Sequence, residues 1–190
     1  MSETTLTEDV LRDLSRRLRG SDRTALSTLF RALYSDLYRY ARSFLVDAMG
    51  AEDLVQEAFI RLWERRETID RERSVRSYLF VTLRHSALNS IRQVQTRRRI
   101  RSGISPSEKP PQPDDDLAAE TMEGRLTCWI EALPERRREA FELSRFAGLS
   151  LNEIAEVMRI TPKTAENHVT QALRDLRSRL KEFDPDLLRL

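Results

Sequence analysis

The chain has 190 residues, of which 39% are hydrophobic and 34% charged, with a formal net charge of +2. This length allows one domain or two small ones, and the high charged fraction favours small helical units over one large core. The single cysteine, Cys128, excludes an internal disulfide framework. No apolar run approaches the roughly 18 residues of a membrane span. The first ten residues are acidic and polar, unlike a secretion signal, so we expect a cytoplasmic protein.

Two amphipathic helices are predicted before residue 47. The first spans about residues 7–19, Gly20 ends it, and Ser21 or Asp22 caps the second. The second extends to about Val46. Apolar residues at helical spacing define the inner sides of the two helices. They are Val10, Leu11, Leu14 and Leu18 in the first, and Leu26, Leu29, Phe30, Leu33, Leu37 and Ala41 in the second.

The stretch AEDLVQEAFIRLWERRE, residues 51–67, predicts a third helix with two contrasting faces. The inner face carries Leu54, Val55, Ala58, Phe59 and Leu62. A rotation of about 100° per residue groups the opposite residues. They are Asp53, Gln56, Glu57 and Ile60. Single exposed apolar residues are common, but an isoleucine among carboxylates and an amide also fits a face that docks on another protein.

A fourth helix is predicted from about Ser74 to Arg98. Its expected buried residues are Val75, Leu79, Leu83, Ala87 and Val94, and its opposite side groups Tyr78, His85, Asn89 and Arg92. Aromatic rings can stack on bases, an amide can pair with base edges, and a guanidinium can hold phosphate. The pattern therefore fits a surface for single-stranded DNA. It fits equally well a packing face with its polar groups in water.

Charge changes sign abruptly after the fourth helix. Between residues 78 and 101 there are arginines but no acid, and residues 102–124 contain six acids and one base, Lys109. A basic helix of this kind indicates polyanion binding, the alternative being a merely solvated tail. The segment RSGISPSEKPPQPDDD, which begins at Arg101, is almost free of apolar residues and predicts a flexible linker.

A helix-turn-helix motif is predicted in the C-terminal half, where helical patterning resumes at Leu117. Ser150 caps a short helix and forms a capping box with Glu153. After the turn RIT, Thr161 caps a second helix that has Pro162 at its first position. The apolar stripe of the short helix is Leu151, Ile154, Ala155 and Met158.

The second helix of this motif has a polar outer side. Its inner residues are Ala165, Val169, Ala172, Leu173, Leu176 and Leu180, and its outer residues are Lys163, Thr164, Asn167, Thr170, Gln171 and Arg174. In a helix-turn-helix the second helix enters the major groove of DNA. Asn167 and Gln171 could pair with adenine, and Lys163 could contact guanine or phosphate. An ordinary helical hairpin is the alternative.

Together the two halves resemble the extracytoplasmic-function (ECF) class of RNA polymerase sigma factors, in the sigma-70 family. AEDLVQEAFIRLWE is similar to that class's core-binding helix, and RSYLFVTLRHSALNSIR to its promoter-melting helix. The sequence from Leu133 to Leu180 resembles its C-terminal DNA-binding domain. The resemblance implies an all-α fold with two small helical domains: region 2 at residues 1–98, a flexible linker at 99–118, and a region 4 helix-turn-helix domain at 119–190.

The resemblance also implies partners and site residues. Asp53, Gln56 and Glu57 would face the clamp helices of the largest polymerase subunit, and Ile60 joins them through helical geometry. The polar face of the fourth helix would capture the minus-ten element, and the outer side of the last helix would read the minus-thirty-five element. The polymerase flap region and an anti-sigma factor are further expected partners. No membrane partner, cofactor, metal site or enzymatic activity is expected.

Three residues depart from the usual pattern of the resembled melting helix. His85 stands where Asn is usual, Asn89 where Asp is usual, and Tyr78 where Trp is frequent. The stretch KTAENHV is also similar to helices of LuxR-type response regulators, which provide the alternative function of a plain DNA-binding regulator. That family has no use for a docking helix, and its receiver domain would need an alternating strand and helix pattern that this sequence lacks.

Overall fold

The computed structural model describes residues 7–45, 47–69, 74–102 and 121–184. These ranges contain helices and no strand, which confirms the predicted all-α class. Two compact units are present, one with α1 to α4 and the other with α5, α6, α8 and the start of α7. The helices are α1 (Glu8–Arg19), α2 (Arg23–Arg42), α3 (Ala48–Glu64), α4 (Val75–Ser102), α5 (Met122–Glu131), α6 (Glu135–Arg145), α7 (Leu151–Met158) and α8 (Pro162–Phe183).

In the turn between α1 and α2, the left-handed backbone conformation that glycine favours lies one residue after the glycine. Gly20 has a φ of −74°, and Ser21 takes the left-handed value of 62°. Asp22 caps α2, as predicted, by accepting hydrogen bonds from the backbone N–H groups of Thr24 and Ala25. A hydrogen bond from the Thr24 hydroxyl, followed by one from Arg17, lowers the pKa of Asp22 to about 2.

The first unit is built on the leucine stripe of α2. Leu29, Leu33 and Leu37 are fully buried. The ring of Tyr40 in α2 lies 5.3 Å from that of Phe80 in α4, so these two helices pack together. Further fully buried large side chains among the described residues of α1, α3 and α4 are Leu18, Val55, Leu62, Leu79, Phe80 and Leu83.

The predicted bounds of α2, α3 and α4 need correction, and α3 spans Ala48–Glu64 rather than residues 51–67. The helix α2 ends at Arg42 rather than near Val46. Val94, expected in the core, is 49% exposed, since α4 continues beyond the buried layer that ends at Ala87. The helix runs on to Ser102, four residues beyond its predicted end at Arg98.

The second unit packs α5 and α6 against α8. Its core cluster contains Ile130, Leu133, Phe141, Ala172 and Leu176, with Trp129 and Leu173 packed against it. The guanidinium of Arg137 in α6 donates a hydrogen bond of 2.8 Å to Asp175 in α8, which fixes the two helices together at their edge. The predicted linker beyond residue 102 and the predicted helical start at Leu117 lie outside the described residues.

The local signals of the helix-turn-helix are confirmed. The Ser150 N–H donates to Glu153 Oε2 at 2.9 Å, and the Glu153 N–H donates back to Ser150 Oγ at 3.4 Å, which completes the capping box. Thr161 Oγ1 accepts from the Thr164 N–H at 3.2 Å, and Pro162 occupies the first turn of α8. Leu151 is more exposed than its place in the predicted stripe suggests.

Candidate polymerase and promoter interfaces

The outer face of α3 is a mixed surface with an apolar residue among polar ones. Ile60 is 57% exposed, and Asp53 and Gln56 are exposed on the same side. Glu57 differs from them, because its Oε1 accepts a hydrogen bond of 2.6 Å from Arg61 one turn later. Three of the four residues predicted for polymerase binding are therefore open to a partner, and the fourth is already held in an ion pair.

The sequence analysis missed Met49 on this same face. Asp47 caps α3 by accepting from the backbone N–H groups of Met49 and Gly50, so the helix starts one turn earlier than the quoted stretch. Met49 is 70% exposed. A rotation of about 100° per residue puts it on the same side as Asp53 and Ile60. The face therefore has two exposed apolar side chains, one towards each end.

One aromatic contact joins α2 to the flank of α3, and it continues into a row of rings along α2. The Phe30 ring lies 4.9 Å from that of Phe59 and 5.1 Å from that of Tyr34, and Tyr34 stacks on Tyr38 at 6.0 Å. Partial desolvation raises the pKa of the Tyr34 hydroxyl, and the nearby carboxylate of Glu52 in α3 raises it further. Ring contacts of this kind add to area burial, so the Phe30–Phe59 contact helps to hold α3, and with it the outer face, against α2.

The predicted minus-ten residues lie along one side of α4. His85 and Arg92 are exposed, and Tyr78 and Asn89 are half-buried. The Asn89 Nδ2 is 3.4 Å from His85 Nδ1, so the amide and the imidazole stand side by side. Because the helix is continuous from Val75 to Ser102, these four side chains form one stripe. The side chains of the arginine run that begins at Arg97 lie outside the described residues.

The turn between α7 and α8 closes without a glycine. Arg159 takes a left-handed φ of 56°. The Ile160 N–H donates to the Ala155 carbonyl at 3.0 Å, and the Arg159 N–H donates to the Glu156 carbonyl at 3.3 Å. These are the two hydrogen bonds of a Schellman motif, which usually contains glycine at the left-handed position. The pattern of residue types therefore gave no signal for this part of the turn.

The outer face of α8 is polar over its first turns. Lys163, Asn167, Thr170 and Arg174 are exposed, whereas Thr164 and Gln171 are half-buried. Lys163 Nζ donates to Glu166 Oε2 at 2.8 Å. The Thr164 hydroxyl lies 2.8 Å from that of Thr161. The six predicted base and phosphate readers thus fall into an exposed stripe and two side chains at its edge.

The described residues were also compared with the requirements of a membrane span and of a metal site. No helix in them combines the length and apolar character needed to cross a membrane. Over the same ranges, no three His, Cys, Asp or Glu side chains are grouped so that they could hold a metal ion. The arrangement offers surfaces for binding, with hydrogen-bonding groups on α4 and α8 and a mixed surface on α3.

Comparison with known proteins identifies both halves of the chain. Residues 29–99 match the family described as Sigma-70 region 2, and residues 123–176 match Sigma-70, region 4. The ECF RNA polymerase sigma factor SigL of Mycobacterium tuberculosis is 29% identical over 164 residues, covering 84% of this chain and 93% of that one. The probable RNA polymerase sigma-C factor of Mycobacterium bovis is 30% identical over 164 residues and covers 85% of each chain.

A solved structure shares the fold. The sigma factor RpoE of Bartonella quintana, crystallised in complex with the anti-sigma factor NepR, has a TM-score of 0.62 and 20% identity. The match covers 82% of this chain and 96% of that one. The LuxR-type alternative finds no support, since the region 2 match spans all of α3 and most of α4. The chain belongs to the ECF class of the sigma-70 family, the transcription initiation factors that direct bacterial RNA polymerase core enzyme to specific promoters.

Proposed function

We propose that the two units divide the work of initiation, with polymerase docking and minus-ten capture in one and minus-thirty-five recognition in the other. The corresponding segments are a region 2 domain at residues 1–98, a linker at 99–118 whose first four residues continue α4, and a region 4 domain at 119–190. The matches to region 2 and region 4, in this order, support the assignment. The observation that carries it is the contrast between an α3 face with exposed Ile60 and an α8 face that is polar.

The outer face of α3 docks on the clamp helices of the largest polymerase subunit. Ile60 and Met49 supply apolar area that gains from leaving water, and Asp53 and Gln56 supply a polar surround. An apolar anchor within a polar rim is a common hot-spot arrangement at protein interfaces. The ring contact between Phe30 in α2 and Phe59 in α3 packs α3 against its neighbour, so the docking face is already formed before polymerase binds.

The stripe on α4 holds the unpaired strand of the minus-ten element. The Tyr78 and His85 rings can stack on bases, a contact worth about 1–3 kcal/mol per base. Asn89 offers both a donor and an acceptor to a base edge, and Arg92 can hold phosphate. Contacts of this size can offset the few kcal/mol needed to take a base out of the duplex stack.

The first turns of α8 enter the major groove of the minus-thirty-five element. The same domain also contacts the polymerase flap region. Asn167 lies in the exposed stripe, where it can pair with adenine, and Arg174 lies further along it, where it can reach phosphate. Initiation of this kind takes place in the cytoplasm. An anti-sigma factor that covers the α3 face would prevent docking, and the complex of the Bartonella sigma factor with NepR supports looking for such a partner.

In vitro transcription tests this function. Purified core polymerase is incubated with genomic promoter fragments, with and without the chain, and the starts of the transcripts are mapped. We expect new transcripts from a small set of promoters that share minus-ten and minus-thirty-five sequences. Tight binding to duplex DNA by the chain alone, together with no new transcripts, would identify a plain regulator instead.

A further inference from the structure

An ion pair lies on the part of α8 that enters the DNA groove. Lys163 Nζ is 2.8 Å from Glu166 Oε2, and the two side chains are 75% and 48% exposed. Exposed pairs one turn apart stabilise a helix only weakly. The position of this pair matters more than its strength, because it stands directly after the Thr161 cap and beside the exposed Asn167.

The pair also sets the charge of the reading surface. Between Thr161 and Leu173, Lys163 is the only lysine or arginine and Glu166 the only acid, so this stretch has no formal net charge. The other lysine and arginine side chains of α8 come later, from Arg174 onwards. A reading surface of this composition depends on hydrogen bonds to bases, and general attraction to phosphate comes from elsewhere on the helix.

A carboxylate in the major groove has few acceptable neighbours. Guanine presents N7 and O6, and thymine presents O4, all of them acceptors that repel it. Adenine combines one donor with an adjacent acceptor. Cytosine presents its N4 amino group, a donor without an acceptor beside it, so Glu166 is matched to cytosine.

Lys163 completes the match to a whole base pair. An ammonium group only donates hydrogen bonds, and O6 and N7 of guanine only accept them. In a G·C pair the guanine O6 and the cytosine N4 are hydrogen-bonded to each other. They are therefore separated by about the same distance as the ammonium and carboxylate groups of this ion pair.

We propose that Lys163 and Glu166 act as one unit that reads a single G·C base pair in the minus-thirty-five element. Glu166 accepts a hydrogen bond from cytosine N4, and Lys163 donates one to guanine O6 or N7. In the free chain the ion pair already brings the two groups to the separation that the base pair requires. This inference rests on the proposed role of α8 as the duplex reader, and it adds the base identity that one position requires.

Selection from a promoter library tests the proposal. The full chain with core polymerase is presented with promoters randomised across the minus-thirty-five element, and bound sequences are counted for wild type, Glu166→Gln, Glu166→Ala and Lys163→Ala. Wild type is expected to favour one G·C pair by about ten-fold. Glu166→Gln should shift the cytosine of that position to adenine, because glutamine pairs with adenine N6 and N7. Both alanine variants should lose the preference there.

Glu182→Gln is the matched control, since it removes one exposed carboxylate from the same helix near its C-terminal end. If Glu166→Gln and Glu182→Gln give the same base preferences, Glu166 is only a surface charge and the proposal is wrong. Asn167→Ala separates that failure from a failure of the proposed function. If Asn167→Ala is the only substitution that changes the base preferences, α8 remains the duplex reader and only the ion-pair proposal is rejected. A profile unchanged by every substitution in α8 rejects both.

Discussion

The helices α3 and α8 start in the same way, but their outer faces expose different kinds of side chain. Each helix starts with a side-chain cap, Asp47 in α3 and Thr161 in α8, and each buries an apolar stripe. The outer side of α3 exposes Ile60 and Met49. The large hydrophobic side chain exposed on α8 is Phe183, at the last residue of the helix.

This difference indicates the class of partner. At a protein interface an exposed isoleucine gains free energy by excluding water from a pocket. In the major groove an aliphatic side chain can match only the methyl group of thymine, whereas amides, hydroxyls and charged groups can match the other base edges. A mixed face therefore suits a protein partner, and a polar face suits DNA.

The largest expected effect comes from placing a charge at an apolar position of the mixed face. Ile60→Glu should weaken binding to core polymerase by about 2 kcal/mol or more, because it removes an anchor and desolvates a carboxylate. The helix should stay intact, since the side chain is exposed and glutamate favours helix. Fluorescence titration with core enzyme measures the affinity. Val10→Glu on α1 is the control, because Val10 is 37% exposed although the sequence pattern placed it on the inner side. An equal loss of polymerase affinity in both variants would mean that the α3 face has no special role.

On the polar face, Asn167→Ala should change the preference for particular base pairs rather than the general affinity for promoter DNA. Loss of a bidentate amide contact should cost about 1–3 kcal/mol at one or two positions of the minus-thirty-five element. Competition between single-base promoter variants, each bound by the holoenzyme, gives the preference at every position. A uniform loss at all positions would mean that Asn167 contacts the backbone or supports the fold.

A smaller and more local effect is expected on α4. If the α4 stripe holds the captured strand as proposed, His85→Ala and Asn89→Asp should reduce open-complex formation on duplex promoters and leave docking on core polymerase unchanged. Permanganate footprinting measures the opened bases. A promoter with a pre-melted bubble should rescue the variants if they fail in opening, and should rescue little if they fail in holding the strand. Normal opening by both variants would make this stripe an ordinary solvated surface.

Arg174→Ala tests the phosphate contribution to the polar face. It should weaken binding to all promoter sequences alike and lower the slope of log affinity against log salt concentration by about one unit, the effect of losing one phosphate contact. Affinities of the holoenzyme measured over a salt series give this slope. A change in base preference with an unaltered slope would instead make Arg174 a base reader.

The smallest effect is expected at Asp22, which lies on neither face. Its pKa is lowered from 3.8 to about 2 in the folded chain, so its charged form stabilises the fold above pH 3.8, and this contribution is lost as pH falls through 2. Asp22→Asn keeps a capping side chain and should lower the melting temperature at pH 5 more than at pH 3. Thermal denaturation at both pH values checks this. A difference that grows towards low pH would contradict the shift, and both binding activities should be unaffected.

Much of both faces could be predicted from the sequence, because caps and helical rotation are local. The capping box of Ser150 and Glu153, the Thr161 cap and the exposure of Ile60 all follow from residue types a few positions apart. The exposure of Val94 did not follow, because the length of the core under α4 depends on helices distant in the sequence.

Other features depended on details that no residue pattern marks. Met49 was missed because the apolar pattern extended the second helix to about Val46 and started the third at Ala51, whereas Asp47 caps α3. The left-handed residue before α8 is Arg159, where glycine would have been the usual signal. Rotamers of long side chains decide whether Lys163 reaches Glu166 or solvent, so their ion pair became visible only in the structure. The roles of the site residues themselves stay predictions until a partner is bound.

The central claim is that the α3 face binds polymerase and the α8 face binds promoter DNA, and a crossed measurement on two variants tests it most directly. Ile60→Glu and Asn167→Ala are each titrated with core polymerase and, at saturating polymerase, with promoters that differ in the minus-thirty-five element. The account predicts that Ile60→Glu loses core affinity and keeps wild-type base preference, and that Asn167→Ala does the reverse. Loss of core affinity in both variants, or altered base preference in both, would contradict the separation of the two faces.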